Sequence, residues 1–70
     1  MALFTIADMT GQQFEVIDRI VAQNGKHALE IFKQRLSGVV PYEIKQVNSL
    51  WMMTNPYGSR FVALKRNPTK

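Results

Sequence analysis

The strongest helical signal in this chain lies in one stretch. Ala28, Ile31, Phe32, Arg35 and Leu36 recur at i, i+3, i+4, i+7 and i+8, Asn24 stands before them as an N-cap, and Gly38 follows as a stop. The spacing predicts an amphipathic helix over Gly25 to Ser37. Its outer face carries Lys26, Glu30, Lys33 and Gln34, where Glu30 can pair with Lys33 or Lys26 for a few tenths of a kcal/mol. A lone helix covers only one face of a sheet. Every strand elsewhere in the chain therefore raises one question, namely what meets its other face.

The remaining segments are of strand type. Leu3 to Ala7 is short, apolar and partly alternating, and Asp8-Met9-Thr10-Gly11 follows with turn chemistry, which predicts a first strand and a turn. From Gln12 to Ala22 the chain is rich in β-branched residues and free of Gly and Pro. It reads as a second strand antiparallel to the first, irregular where Val16-Ile17 and Ile20-Val21 break the alternation, with a short helix over part of it as the competing reading. After the helix, Val39-Val40-Pro41 leads into Tyr42 to Val47, and Asn48-Ser49 closes a tight hairpin because Asn tolerates a left-handed backbone. Leu50 to Asn55 is the next strand, Pro56-Tyr57-Gly58-Ser59 a turn, and Arg60 to Lys65 the last strand. The order is β-β-α-β-β-β. It predicts an α+β fold, one small domain over residues 1–70, with a helix packed on one face of an antiparallel sheet of about five strands and residues 66–70 as a flexible basic tail.

A chain of 70 residues builds one modest core, burying about 60% of the surface its unfolded form exposes. With 46% hydrophobic and 20% charged residues, it belongs with folded rather than disordered chains. It has no cysteine, which fits a reducing compartment. The start Met1-Ala2-Leu3-Phe4-Thr5 lacks a basic segment, and no apolar run nears the ~18 residues of a membrane span, so the expectation is a cytoplasmic protein without a targeting segment or membrane partner.

The net charge of +4 is unevenly spread. All five acids (Asp8, Glu15, Asp18, Glu30, Glu43) fall within the first 43 residues, against four bases there, whereas Lys45, Arg60, Lys65, Arg66 and Lys70 follow without an acid. A basic second half suggests attraction to nucleic acid or to an acidic protein surface, although a charge of this size also serves solubility.

Catalytic and metal chemistry find few candidates. His27 is the only histidine, no thiol is present, and the acids are too scattered to suggest a dedicated cation site. His27 reads as a polar residue in the first helical turn. A triad would need His27 as its base, yet no Gly-x-Ser-x-Gly element surrounds Ser37, Ser49 or Ser59. Gly11, Gly25, Gly38 and Gly58 stand singly, so no loop is built to cradle phosphate. The inventory points away from an enzyme and from any metal or cofactor.

What remains is the sheet. Side chains alternate between faces, so Leu50, Met52 and Thr54 share one side of their strand and Trp51, Met53 and Asn55 the other; the last strand divides into Arg60, Val62, Leu64 and Phe61, Ala63, Lys65. Both strands are apolar on both sides. If Leu50, Met52, Val62 and Leu64 meet the helix, then Trp51, Met53 and Phe61 lie on the far face, flanked by Lys45 and Lys65. An exposed patch of that kind marks a partner surface, while the opposite assignment makes Trp51 and Phe61 plain core. The exposed version supports either base stacking with phosphate contacts or a protein hot spot.

The spacing Ile44-x-x-Val47-Asn48-x-Leu50-Trp51, followed by Gly58-x-Arg60-Phe61-Val62, resembles the C-terminal meander of small phage-encoded type I-F anti-CRISPR proteins. Ile20-x-Ala22 followed by Ala28 and Ile31 is similar to their strand and helix, so the resemblance spans roughly two-thirds of the chain. It implies a five-stranded antiparallel sheet with one helix. It also implies a non-enzymatic inhibitor, acting in the host cytoplasm, that binds a protein subunit of the crRNA-guided surveillance complex and blocks hybridisation of target DNA. Some such inhibitors add basic residues that recruit DNA, which the late excess of Lys and Arg suits. The first twenty residues and the basic tail depart from the pattern, so contacts made there do not carry over. The expected partner-binding set is Lys45, Trp51, Met53, Tyr57, Arg60, Phe61, Lys65 and Arg66. The alternatives are a small nucleic-acid-binding protein using the basic sheet and tail, and a homodimeric accessory protein that buries its apolar patch against its own copy.

Overall fold

Asn24 starts the helix. Its backbone is extended, and its side-chain oxygen accepts a hydrogen bond from the N–H of His27 at 2.8 Å, satisfying one of the donors a helix leaves free at its start. In this computed structural model, which describes residues 1–11, 13–36 and 40–65, the helix α1 runs over Gly25–Arg35. It ends two residues earlier than the spacing predicts, with the N–H of Leu36 donating to the carbonyls of Phe32 and Lys33. The predicted stop at Gly38 and the tail from Arg66 lie outside the described residues.

Five strands complete the architecture: β1 (Ala2–Asp8), β2 (Glu15–Ala22), β3 (Glu43–Val47), β4 (Leu50–Thr54) and β5 (Arg60–Lys65). The α+β order β-β-α-β-β-β is the one expected, and the strands form a single antiparallel sheet in the spatial order β2-β1-β5-β4-β3. The first and last strands therefore pair at the centre, Ile6 opposite Ala63, while α1 carries the chain from the β2 edge to the β3 edge. The competing helical reading of the second segment fails over Glu15–Ala22, whose residues form a strand paired with β1 apart from one bulged position.

The irregularity expected in β2 is present at one of its two proposed places. The register shifts between Ile6 and Ala7, opposite Asp18 and Val16, so that Ile17 is the extra residue of a bulge, whereas Ile20 and Val21 continue in regular pairing. The β3–β4 hairpin turns at Asn48, which has a φ of 58° and supplies the left-handed backbone. The β4–β5 turn is held by Asn55, whose side-chain oxygen accepts from the N–H groups of Tyr57 and Ser59 at 3.0 Å, with Gly58 at φ 94°.

The core lies between α1 and one face of the sheet. Phe4, Ile6, Ile20, Ala22, Met53, Phe61 and Ala63 from the strands meet Ala28, Leu29 and Phe32 from the helix. Leu29, fully buried, belongs to the helical stripe although the spacing analysis does not select it, while Arg35, selected there, is exposed. Arg35 instead reaches back to Asp18 of β2 with an Nη1–Oδ2 distance of 2.9 Å. Neither suggested partner of Glu30 forms an ion pair with it among the described residues.

Candidate functional site

The assignment of sheet faces is the reverse of the one expected. Phe61 packs its ring edge against Phe32 at a centroid distance of 5.3 Å and against Tyr42 at 6.1 Å, and Met53, its cross-strand partner, is 0% exposed. Trp51 lies against the start of the helix so closely that a Cβ added to Gly25 would sit 2.8 Å from its Cδ1. Trp51, Met53 and Phe61 are thus core side chains, not an exposed patch. The physical reason is volume: the gap between helix and sheet is filled by the larger set of one alternation, and small Ala63 and Gly25 give the indole its place. Gly25 at the first helical position was the one sequence signal for this approach.

Leu50, Met52, Val62 and Leu64, expected beneath the helix, point the other way. Cross-strand partners share a face, so the register defines that face directly. One row runs Val16, Ala7, Val62, Met52, Lys45 across all five strands; the next holds Arg19, Thr5 and Leu64. Further pairs on the same side are Val21 with Leu3, Leu50 with Val47, and Arg60 with Thr54, which in turn faces Glu43.

No described element packs on this side. Val62 and Ala7 are nevertheless 1% and 0% exposed and stand apart from the helix-side cluster, opposite each other on the two central strands. Around them the surface is aliphatic and open. Leu3, Val16, Val21, Val47 and Leu50 are exposed and Met52 and Leu64 half-buried. The face carries the bases Arg19, Lys45 and Arg60 and the single acid Glu43; among the described residues none of these four forms an ion pair. Its middle is apolar and buried, and its margin mixes exposed aliphatic side chains with three bases and one acid.

The predicted partner-binding residues consequently scatter. Lys45 and Arg60 lie on the open face, on an edge strand and at one end of a central strand. Trp51, Met53 and Phe61 are in or against the core. Lys65, paired with Phe4, is exposed on the helix side, beside a shallow groove that Trp51, Asn24 and Gly25 also line. Tyr57 is 78% exposed at the tip of the β4–β5 turn, and Arg66 lies outside the described residues. Arg19, Met52 and Leu64, absent from the predicted set, belong to the open face. The alternation Leu3-Thr5-Ala7 against Phe4-Ile6 carried a hint, since the bulkier pair marks the inward side.

The polar groups do local structural work. The imidazole Nδ1 of His27 accepts the N–H of Gln23 at 3.1 Å, tying the end of β2 to the first turn of the helix. Asp8 accepts the N–H of Thr10 at 2.8 Å, and the Thr10 hydroxyl accepts the N–H of Arg60 at 3.0 Å, fastening the β1–β2 turn to the start of β5. Among the described residues no three His, Cys, Asp or Glu side chains are placed to hold a metal ion, and no helix is long and apolar enough to cross a membrane.

No protein-family model, curated protein or solved structure matches the chain.

Proposed function

We propose that this protein is a non-enzymatic binding module that docks the helix-free face of its sheet on a protein partner. The observation that carries this reading is the composition of that face, an aliphatic centre around Met52, Val62 and Leu64 with Arg19, Lys45 and Arg60 at its margins. Base stacking needs aromatic platforms, and every aromatic side chain on a described strand points to the helix side. Aliphatic and methionine side chains instead suit a protein surface.

The resemblance set out above names the partner. It makes the protein an inhibitor of a bacterial type I-F surveillance complex that occupies a protein subunit beside the bound crRNA and keeps target DNA from hybridising. The positive margin is compatible with a nearby phosphate backbone, which would make DNA an auxiliary contact.

The test uses purified type I-F complex and a labelled target duplex. Added protein is expected to abolish the mobility shift of the duplex, and Met52→Lys is expected to lose that inhibition while remaining folded by circular dichroism. Full DNA binding in the presence of a large excess of the protein would remove the assigned target. Undiminished inhibition by Met52→Lys would remove the assigned face.

A further inference from the structure

The open face has a width as well as a composition. The edge strands β2 and β3 are separated by four strand spacings, about 19 Å at ~4.8 Å each. Arg19 stands on one edge strand and Lys45 on the other, in adjacent cross-strand rows. Between them Thr5, Ala7, Val62, Leu64 and Met52 carry no charge. An α-helix with its side chains is about 10–12 Å across, the width of the three middle strands. A helix laid along β1, β5 and β4 would pass over the buried Val62 and cover the exposed parts of Leu50, Leu64 and Met52, and its two flanks would lie over Arg19 and Lys45.

Charge decides which helix. With Arg19, Lys45 and Arg60 against Glu43 alone, two copies of the face carry net charge of the same sign, which disfavours their pairing. The face attracts carboxylates on both flanks of an apolar stripe.

Building on the proposed docking function, we infer that the occupant of the open face is an acidic amphipathic helix of the partner, with Glu or Asp on both sides of an aliphatic stripe. The arrangement completes a three-layer packing, helix on sheet on helix, in which the second helix comes from another protein. Arg19 and Lys45 fix its position by pairing at opposite flanks, and the half-buried Met52 and Leu64 with the exposed aliphatic side chains beside them supply most of the buried area.

The probe is an 18-residue helical peptide with a leucine stripe flanked by glutamates, titrated into the methyl-labelled full chain at low ionic strength. The methyl resonances of Met52, Val62 and Leu64 are expected to shift while that of Met53 does not. Arg19→Glu and Lys45→Glu are each expected to weaken binding about tenfold, and raised salt to weaken it further. The same peptide with lysine in place of glutamate is expected not to bind. Equal binding of the two peptides, shifts confined to the helix side, or an unperturbed spectrum at millimolar peptide would overturn the inference. So would a stable dimer in sedimentation that Met52→Lys dissociates. The two proposals fail separately. Inhibition of the surveillance complex that Met52→Lys abolishes, without binding of the acidic peptide, sinks the helix alone. Peptide binding without any effect on the complex sinks only the assigned target.

Discussion

Met52 and Met53 are neighbours of the same type on the same strand, yet they live in different environments. Met53 is 0% exposed between Phe61, Ile44 and the helix, whereas Met52 lies half-buried on the side that no described element covers, between Val62 and Lys45. The difference extends to the whole sheet. One face spends its aromatic residues on Phe4, Trp51, Phe61 and the facing Phe32; the other is aliphatic with a cationic margin. Aromatic area is concentrated where it stabilises the fold. What is left on the open side is aliphatic, modest in size, and bordered by Arg19, Lys45 and Arg60.

The comparison is broken most directly by truncating the inner methionine. Met53→Ala is expected to cost about 2–5 kcal/mol in urea denaturation, a large share of the stability of a domain of this size, because both the transfer and the cavity terms apply to a fully buried site. Next comes the seat of the indole. Gly25→Val places branched carbon within 3.2 Å of three Trp51 atoms and is expected to cost about 1–3 kcal/mol, with a changed Trp51 fluorescence maximum as the accompanying signature. Unchanged emission and stability would mean that the helix start does not rest on the indole.

Two smaller effects sharpen the contrast. Asn48→Ala removes the side-chain amide that makes Asn tolerant of the left-handed backbone at the β3–β4 turn and is expected to cost about 1 kcal/mol in the same denaturation experiment, while Asn48→Gly should fold at least as well as the parent. Met52→Ala, on the open face, is expected to lower stability by less than about 1 kcal/mol, which makes the ratio of the two methionine effects the most economical check on which face is core. Near-equal losses at Met52 and Met53 would overturn the face assignment. The smallest effect belongs to Arg35→Ala. Its ion pair with Asp18 joins two side chains that are 53% and 28% exposed, so about 0.2–1 kcal/mol is expected at low salt and less at high salt.

Much of the architecture was legible along the chain. Asn24 and the stripe through Ala28 and Phe32 located the helix, Asn48 and Pro56-Tyr57-Gly58-Ser59 located two turns, and β-branched runs located strands. These signals are local, because capping, left-handed backbone and turn chemistry act within a few residues. Leu29 escaped because the stripe was read from Ala28, Ile31 and Leu36, whereas the buried set is Gly25, Ala28, Leu29 and Phe32, and the pairing of β1 with β5 escaped because nothing local specifies which strands meet at the centre of a sheet.

The candidate site was legible only in part. Lys45 and Arg60 were picked out by charge and do lie on the open face, yet Trp51, Met53 and Phe61 were assigned to the wrong side together, as a period of two requires once any one of them is misplaced. Composition and periodicity determined that one helix would cover one face of an antiparallel sheet. Which face that was depended on side-chain volumes meeting across the helix–sheet gap, with Trp51 against Gly25 and Phe61 against Phe32, and such contacts exist only once distant segments are brought together.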